Sequence, residues 1–248
     1  LMDIEQGKKD RICVNIPPRH GKSQLVSIFF PAWFLGRNPN KKVMMVSHTT
    51  DLAVDFGRKV RNLISTDEYQ SIFPTVQLAS DSKSAGRWNT NSGGEYYACG
   101  IGSSIAGRGA DLLLVDDPHS EQDVINGNFG VFEKAYEWFT YGARTRLMPG
   151  GRVAIIQTRW HMDDLTGRVT KDMGQNERAD KYDVVEFPAI LDIVSKKTKK
   201  SEQKPLWPEF FDLEALLRTK ASMPVFQWNA QYQQEPTAEE AALVKREW

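Results

Sequence analysis

Short apolar runs alternate with longer segments of helical periodicity over most of the chain. The segments predicted as buried strands are Arg11–Ile16, Val43–Ser47, Leu112–Val115 and Arg152–Thr158. Helices are predicted from Lys22 onward, from a cap at Asp51 to about Ile64, and over Phe129–Leu147. Because strands that alternate with helices usually lie parallel in one sheet, the pattern predicts an α/β fold with a mainly parallel central sheet.

Two regions depart from this alternation. Trp88–Thr90 and Glu95–Ala98 flank the sequence Asn-Ser-Gly-Gly at 91–94, which is typical of a β-hairpin turn. After about Asp164 the chain becomes more polar, and we expect the remainder to form a small helical subdomain packed on the core. Its two amphipathic segments are Asp212–Ser222 and Pro224–Gln234.

The composition is that of a packed globular protein and excludes several other classes. Of 248 residues, 40% are hydrophobic and 26% are charged, and the net charge is zero, so the overall charge indicates no partner. Two cysteines and four histidines exclude a disulfide framework and a cysteine-rich zinc site. The most apolar stretch, Leu25–Leu35, is too short to span a membrane. The low cysteine content favours a reduced intracellular compartment, and no signal peptide is visible, so we expect no membrane partner. The start at Leu1 and the abrupt end at Trp248 lead us to expect a fragment of a longer protein.

The first candidate site is the sequence Ile-Pro-Pro-Arg-His-Gly-Lys-Ser at 16–23, between a predicted strand and a predicted helix. It matches the phosphate-loop pattern GxxxxGK[ST] except at its first position, where Ile16 replaces glycine. We expect backbone N–H groups to surround phosphates, Lys22 to contact the β- and γ-phosphates, and Ser23 to bind Mg²⁺. The alternative is a chance Gly-Lys-Ser at the start of a helix. The candidate nucleotide-binding residues are Pro18, Arg19, His20, Gly21, Lys22, Ser23 and Gln24.

The second candidate site is a pair of carboxylates, Asp116 and Asp117, that follows the buried strand Leu112–Val115. A parallel strand that ends in acids holds them at the carboxyl edge of the sheet, where ligands bind. We expect Asp116 to hold Mg²⁺ and Asp117 to orient and deprotonate an attacking water. The alternative is that the acids cap the next helix or begin a turn before Pro118. A phosphate loop followed by such a strand favours a nucleotide site.

Two polar motifs could complete that site. Arg108, flanked by two glycines, lies on a predicted mobile loop that we expect near the nucleotide edge of the sheet. Gln157 and Thr158 lie at the end of a predicted strand, where polar groups could detect a γ-phosphate. The alternatives are a solvated arginine on a flexible connector and simple strand termination with Trp160 packed in the core.

In their order along the chain, these motifs resemble the large terminase subunit of tailed bacteriophages. The resemblance covers essentially the whole chain, and the combination of segments is more specific than any one of them. Two positions depart from the family pattern, because Ile16 replaces the first loop glycine and Asp117 stands where many members have glutamate. The segments that carry the resemblance are Pro17–Ser23, Gly107–Asp111, Val115–Pro118, Thr158–His161, Asp164 with Leu165, Gln231–Pro236 and Lys245–Trp248.

The resemblance implies an additional-strand (ASCE), RecA-like P-loop ATPase that uses ATP and Mg²⁺ to move double-stranded DNA into a procapsid. It implies catalytic roles for Lys22, for Asp117 and for Arg108, which reaches the ATP of a neighbouring subunit. Thr158, with Gln157, would couple hydrolysis to movement. Implied partners are DNA, the portal, the small terminase subunit and further copies in a homo-oligomeric ring, a pentamer, in the host cytoplasm. The implied divisions are an ATPase core over 1–164, a lid over 165–238 and a linker over 239–248 toward an absent nuclease.

Two other functions are compatible with these residues. One is a helicase or another RecA-like ATPase, although a helicase normally has a second RecA-like domain. The other is a nucleotide-binding scaffold that has lost hydrolysis, although Lys22, Ser23 and both acids are present. A solvated basic face would explain equally well the candidates for contact with DNA phosphates. These candidates are Arg58, Lys59, Arg61, Lys83 and Arg87.

Overall fold

A seven-stranded sheet forms the centre of the computed structural model, which describes residues 1–81, 84–194 and 201–237. Its strands are β1 (Arg11–Asn15), β2 (Lys42–Ser47), β3 (Arg87–Asn89), β4 (Glu95–Gly100), β5 (Ala110–Asp116), β6 (Leu147–Gln157) and β7 (Asp183–Glu186). They lie in the order β3-β4-β2-β5-β6-β1-β7. All neighbours are parallel except β3 and β4, so the predicted parallel sheet and the predicted hairpin are both confirmed.

The register of the parallel strands brings several polar residues to one edge of the sheet. Asn15 on β1 pairs with Gln157 on β6. Asp116 on β5 pairs with Ser47 on β2 and with Ile156 on β6. Because parallel strands end at the same edge, the segments that follow β1, β5 and β6 meet there.

Helices cover both faces of the sheet. They are α1 (Met2–Glu5), α2 (Phe30–Arg37), α3 (Thr50–Ile64), α4 (Asp67–Ile72), α5 (Glu121–Ile125), α6 (Gly130–Glu137), α7 (Leu165–Gln175), α8 (Leu213–Ala221) and α9 (Val225–Gln231). The chain also forms two π-helical segments, Gln24–Phe29 and Trp138–Ala143, and a 3-10 turn, Arg144–Arg146. Alternate residues of β5 face opposite sides, so Leu112 packs in one core with α2 and α3, and Leu113 packs in another with α7.

Two helix predictions need correction. The N-cap of α3 is Thr49, whose hydroxyl accepts a hydrogen bond from the Leu52 N–H (3.3 Å), whereas Asp51 lies in the first turn. There its negative charge faces the positive end of the helix dipole. The helix predicted over Phe129–Leu147 is divided into α6, a π-helical segment and a 3-10 turn, and Leu147 already begins β6. Apolar periodicity alone does not distinguish these helix types.

The segment after α7 is less helical than predicted. β7 pairs with β1, and β8 (Ile190–Val194) pairs with β9 (Ser201–Pro205) in a separate antiparallel sheet, so the prediction of helices alone is wrong. The two predicted helices are present as α8 and α9. A third core, which includes Ala189, Leu216 and Trp228, joins them to the small sheet. This core begins after β7 and therefore later than the boundary predicted at 164, while the predicted linker lies outside the described residues.

Both cysteines are buried thiols in the main sheet. Cys13 lies on β1 and Cys99 on β4, and neither forms a disulfide. Burial raises the pKa of each thiol to about 12, which keeps both protonated and unreactive. Within the described ranges, no helix combines the length and the apolar character that crossing a membrane requires.

Candidate active site

The predicted phosphate loop connects β1 to the first π-helical segment at the carboxyl edge of the sheet. Arg19 and Gly21 have φ angles of 62° and 77°, which turn the loop through the left-handed region. The Ile16 N–H donates to the Gln157 carbonyl (3.1 Å), and the Leu25 N–H donates to the Gly21 carbonyl (3.0 Å). The loop is thereby fixed between β6 and the first helical turn, the placement that a phosphate-binding loop requires.

Lys22 extends from this loop to the acidic strand. Its Nζ lies 2.8 Å from Asp117 Oδ2, and the lysine side chain is 10% exposed. Asp117 has a φ of 43°, an uncommon conformation for a residue with a side chain. Its Oδ1 accepts a hydrogen bond from the Thr158 N–H (2.9 Å), and its own N–H donates to the Ile156 carbonyl (2.8 Å). The structure thus brings three predicted site residues, Lys22, Asp117 and Thr158, into direct contact.

Asp116 lies beneath this pair and is buried. Its Oδ2 accepts a hydrogen bond from Ser27 Oγ (2.6 Å), while its Oδ1 has no partner among the described residues. Burial, followed by the negative charge of Asp117, raises the pKa of Asp116 to about 7. The hydrogen bond from Ser27, the charge of Lys22 and the nearby Ser23 hydroxyl act in the opposite direction.

These surroundings fit a divalent cation held by Ser23 and Asp116. The buried Oδ1 of Asp116 offers a hard oxygen ligand, and a cation would offset the cost of burying this carboxylate. In the described part of the chain, no three His, Cys, Asp or Glu side chains converge as a metal site. Protein groups alone therefore do not complete a coordination shell, which suits Mg²⁺ because it usually keeps waters and phosphate oxygens as ligands.

The end of β6 connects the loop to the tail. Gln157 is fully buried, and neither atom of its amide has a partner among the residues that the structure describes. Thr158 Oγ1 donates to the carbonyl of the first loop residue (3.1 Å). The Arg159 N–H donates to Gln234 Oε1 (3.2 Å), and the Arg159 guanidinium pairs with the buried carboxylate of Asp164 (2.9 Å). Arg159 is therefore held in a structural ion pair.

An apolar cavity of about 440 Å³ lies beside the loop, on the side of β1 and β7. Ile16 and His20 line it from the loop, Val185 lines it from β7, and Trp207 lines it from the segment after β9. The Phe211 ring stacks on His20 with 5.1 Å between centroids, so this segment packs against the loop. Burial lowers the pKa of His20, which keeps its imidazole neutral near pH 7.

Sequence reasoning missed Ser27, Trp207 and Phe211. The signal for the aromatic pair is the apolar sequence Leu-Trp-Pro-Glu-Phe-Phe at 206–211, which interrupts a polar tail. The signal for Ser27 is a lone hydroxyl in the otherwise apolar stretch Leu25–Leu35, four residues after Ser23.

The structure does not bring Arg108 to the site of its own chain. Its Nη1 lies 3.1 Å from Glu95 Oε1, and its guanidinium lies 4.6 Å from the centre of the Tyr97 ring. Arg108 precedes β5 and Glu95 begins β4, so both lie at the amino edge of the sheet, opposite Lys22. The length of β5 separates these edges by about 20 Å. The expectation of a loop near the nucleotide edge is therefore wrong, because a residue just before a parallel strand lies at its amino end.

The basic residues proposed for DNA have local partners. The carboxylate of Asp55 pairs with both Arg58 and Lys59 on the same helix. Lys83 lies outside the described residues. These contacts are those of a solvated charged face and add no support for contact with DNA. The described candidates with an acidic or polar partner are Arg58, Lys59, Arg61 and Arg87.

A sequence model of the N-terminal part of the terminase large subunit, T4-like-virus type, matches residues 13–248. The match includes the phosphate loop, the acidic strand and the end of β6. The chain belongs to the large terminase family. No curated protein matches it significantly.

Solved structures support the same fold. The HK97 bacteriophage large terminase has a TM-score of 0.53 at 16% identity, covering 92% of this chain and 47% of that one. A mutant ATPase domain of the Thermus phage P74-26 large terminase has a TM-score of 0.58 at 15% identity, covering 95% and 92%. The large terminase of a thermophilic bacteriophage, in complex with ATP-γ-S, has a TM-score of 0.54 at 11% identity, covering 91% and 47%. The chain spans about half the length of the HK97 protein and of the protein solved with ATP-γ-S, and its fold is the predicted RecA-like fold of terminase ATPase domains.

Proposed function

We propose that the chain hydrolyses ATP as the motor part of a large terminase, and that hydrolysis drives double-stranded DNA into a procapsid. The observation that carries this proposal is the 2.8 Å contact between Lys22 of the phosphate loop and Asp117 at the end of the acidic strand. Asp116 lies directly beneath, buried and with one oxygen that has no partner among the described residues. The thermophilic bacteriophage large terminase, solved with ATP-γ-S and with ADP, supports ATP as the nucleotide.

Each polar residue of the site has one role in this proposal. Lys22 binds the β- and γ-phosphates and stabilises the charge that develops on the transferred group. Ser23 and Asp116 hold Mg²⁺, which when bound supplies positive charge to the phosphates. Asp117 orients the attacking water and accepts its proton, because it lies at the mouth of the loop and is less buried than Asp116.

The end of β6 couples this chemistry to the rest of the chain. The Thr158 N–H binds the same Asp117 carboxylate that acts on water, so a change at that carboxylate moves Thr158 directly. Gln157 keeps a buried amide without a partner in the described part of the chain, and a γ-phosphate could satisfy that amide. A buried amide left unpaired costs about 1–3 kcal/mol, which favours such a role over simple strand termination.

The apolar cavity beside the loop holds the adenine base in this proposal. Its volume of about 440 Å³ is sufficient for a nucleoside, and it opens next to the residues that hold the phosphates. Trp207 and His20 offer ring faces on which a base stacks. The base would therefore lie between the loop and the segment that follows β9.

Arg108 acts in a second copy of the chain rather than in its own. It lies at the amino edge of the sheet, about one strand length from its own Lys22, which supports a role in trans. Resemblance to the large terminase family supports the further proposal that active copies form a homo-oligomeric ring, a pentamer, around DNA in the host cytoplasm. The portal and the small terminase subunit are the further partners of that ring.

Replacement of Lys22 by alanine tests the function. We expect Lys22→Ala to retain the fold, shown by circular dichroism, and to lose ATP turnover by at least about 100-fold. The matched control is Lys9→Ala, because Lys9 pairs with Asp183 on the surface (2.7 Å) and lies away from the loop. Phosphate release is measured with and without double-stranded DNA. Near-normal release by a folded Lys22→Ala protein would contradict the phosphate-loop assignment.

A further inference from the structure

A buried serine lies directly behind the metal-binding carboxylate of the site. Ser27 is fully buried, and its Oγ lies 2.6 Å from Asp116 Oδ2. An ionised carboxylate only accepts hydrogen bonds, so the hydroxyl proton of Ser27 points to Asp116. The contact joins residues 89 positions apart and is one of the shortest between side chains in the site.

A single serine interrupts the apolar segment around Ser27. Val26 and Ile28 are buried beside it, while Leu25 and Phe29 are 54% and 48% exposed. A buried hydroxyl left without a hydrogen bond destabilises a fold, and the Asp116 carboxylate provides the partner. The segment is π-helical, a rare conformation that is frequent at functional sites. The local structure therefore places the one polar side chain of this buried face against Asp116.

The contact leaves the two oxygens of Asp116 in different situations. Oδ2 is bound by Ser27, and Oδ1 has no partner among the described residues. A carboxylate with one oxygen anchored loses rotational freedom, so its second oxygen keeps a fixed direction.

We propose that Ser27 is a positioning residue for Asp116, which holds one carboxylate oxygen so that the other stays available to Mg²⁺. The inference deepens the proposed function and rests on it. Ser27 itself contacts neither nucleotide nor metal in this role and acts through Asp116. A purely structural Ser27 would only satisfy a buried carboxylate, and its loss would weaken the fold without changing the response to Mg²⁺.

The chain offers a matched control at Ser47. This serine is also fully buried, and it pairs in register with Asp116 on the neighbouring strand. Its hydroxyl has no hydrogen-bond partner within the described ranges. Ser47→Ala therefore removes a buried hydroxyl beside Asp116 without removing a hydrogen bond to it.

The experiment measures binding of a fluorescent, slowly hydrolysed ATP analogue in excess Mg²⁺ and in EDTA. The quantity compared is the ratio of the two Kd values, with thermal unfolding of each protein recorded in parallel. We expect Ser27→Ala to bind the analogue normally in EDTA and to lose about tenfold of the affinity gained from Mg²⁺. We expect Ser47→Ala to keep the whole gain in affinity from Mg²⁺. Ser27→Thr, which retains the hydroxyl, should recover most of that gain.

Other outcomes overturn the inference. An unchanged gain from Mg²⁺ in Ser27→Ala, or an equal loss in Ser47→Ala, would assign Ser27 to packing alone. Should Ser27→Ala fail to fold, Ser27→Cys keeps the volume with a weaker donor, and a full gain from Mg²⁺ in that protein also contradicts the role. A wild-type protein that binds the analogue no better with Mg²⁺ than without it would instead contradict the proposed nucleotide site.

Discussion

Lys22 and Asp117 form an ion pair across the mouth of the phosphate loop, with 2.8 Å between Nζ and Oδ2. In the proposed function these side chains have separate tasks, one on phosphate and one on water. A triphosphate bound at the loop would compete with Asp117 for the Lys22 ammonium, whose three N–H donors can contact both groups. In the proposed function, binding of ATP therefore weakens the hold of Lys22 on Asp117.

The two acids should differ when each is replaced. Asp116→Ala should weaken Mg²⁺-dependent ATP binding, because its buried oxygen is the proposed metal ligand. Asp117→Asn should bind ATP at least as well as the wild type, since removal of the carboxylate charge frees Lys22. It should fail to hydrolyse ATP, because the group proposed to activate water is lost. Calorimetric ATP binding and phosphate release are measured on both, with Asp111→Asn as an acid on the same strand at the opposite edge. Equal loss of ATP affinity in both variants would show that the roles are not divided.

Arg108 should be needed by a neighbour rather than by its own chain. We expect Arg108→Ala to bind ATP almost normally and to hydrolyse it roughly 10³-fold more slowly or worse, as in enzymes that use an arginine finger. Mixing it with Lys22→Ala should restore part of the turnover, because Lys22→Ala subunits lend Arg108 to working phosphate loops. Arg87→Ala is the matched control, since Arg87 pairs with the same Glu95 carboxylate. Absence of rescue at every mixing ratio would contradict a role of Arg108 in trans.

Trp207 should contribute to binding of the base and not of the phosphates. Trp207→Ala removes one wall of the apolar cavity, and we expect the Kd for ATP to rise roughly fivefold to tenfold. Inorganic triphosphate provides the control ligand, because it lacks a base and should bind both proteins equally. An equal loss of affinity for triphosphate would show that the substitution disturbs the loop instead.

Asp180 should make stability depend on pH in the acid range. Burial raises the pKa of this carboxyl, but hydrogen bonds and charges from Arg144 and Arg11 outweigh burial and lower it below its ordinary value. Its contribution is therefore complete above an unfolded-state pKa of about 3.9 and is lost as the pH falls through the lower folded value. Asp180→Asn should cost about 1 kcal/mol at pH 7, a modest figure because Arg144 is 46% exposed, and progressively less as the pH falls below the unfolded-state pKa.

Urea unfolding of both proteins at several pH values measures this difference. The matched control is Asp183→Asn, whose exposed pair with Lys9 should contribute little at any pH. A destabilisation by Asp180→Asn that stays constant down to pH 2 would show that packing, not charge, is responsible.

The strands next to the site were predictable because a buried strand has a simple sequence pattern. The stretch Leu112–Val115 is apolar throughout, as a strand covered on both faces must be, and the sequence 91–94 contains the glycines that a hairpin turn requires. β9 was not predicted, because its charged residues, such as Glu202 and Lys204, are typical of a solvated loop. Its partner β8 is fixed by pairing, which no local pattern records.

The residues of the candidate site that belong to recognisable motifs were predictable from the sequence. Lys22 was identified from the phosphate-loop pattern and the two acids from a strand that ends in carboxylates, and the structure brings them together. The contact of Ser27 depends on a π-helical turn, which apolar periodicity does not reveal. The position of Arg108 depends on which edge of the sheet a loop occupies, and this follows only when strand direction is considered.

Two consecutive residues at the end of β6 form hydrogen bonds to three segments that are remote from one another in sequence. The Thr158 N–H holds the acidic strand, the Thr158 hydroxyl holds the first loop residue, and the Arg159 N–H holds Gln234 beyond α9. If this strand end moves by the length of one hydrogen bond, either these hydrogen bonds break or the bound segments move with it. The tail beyond α9 and the Asp117 carboxylate are thus bound by the N–H groups of adjacent residues, so in the proposed function a movement of Asp117 reaches the tail through a single residue.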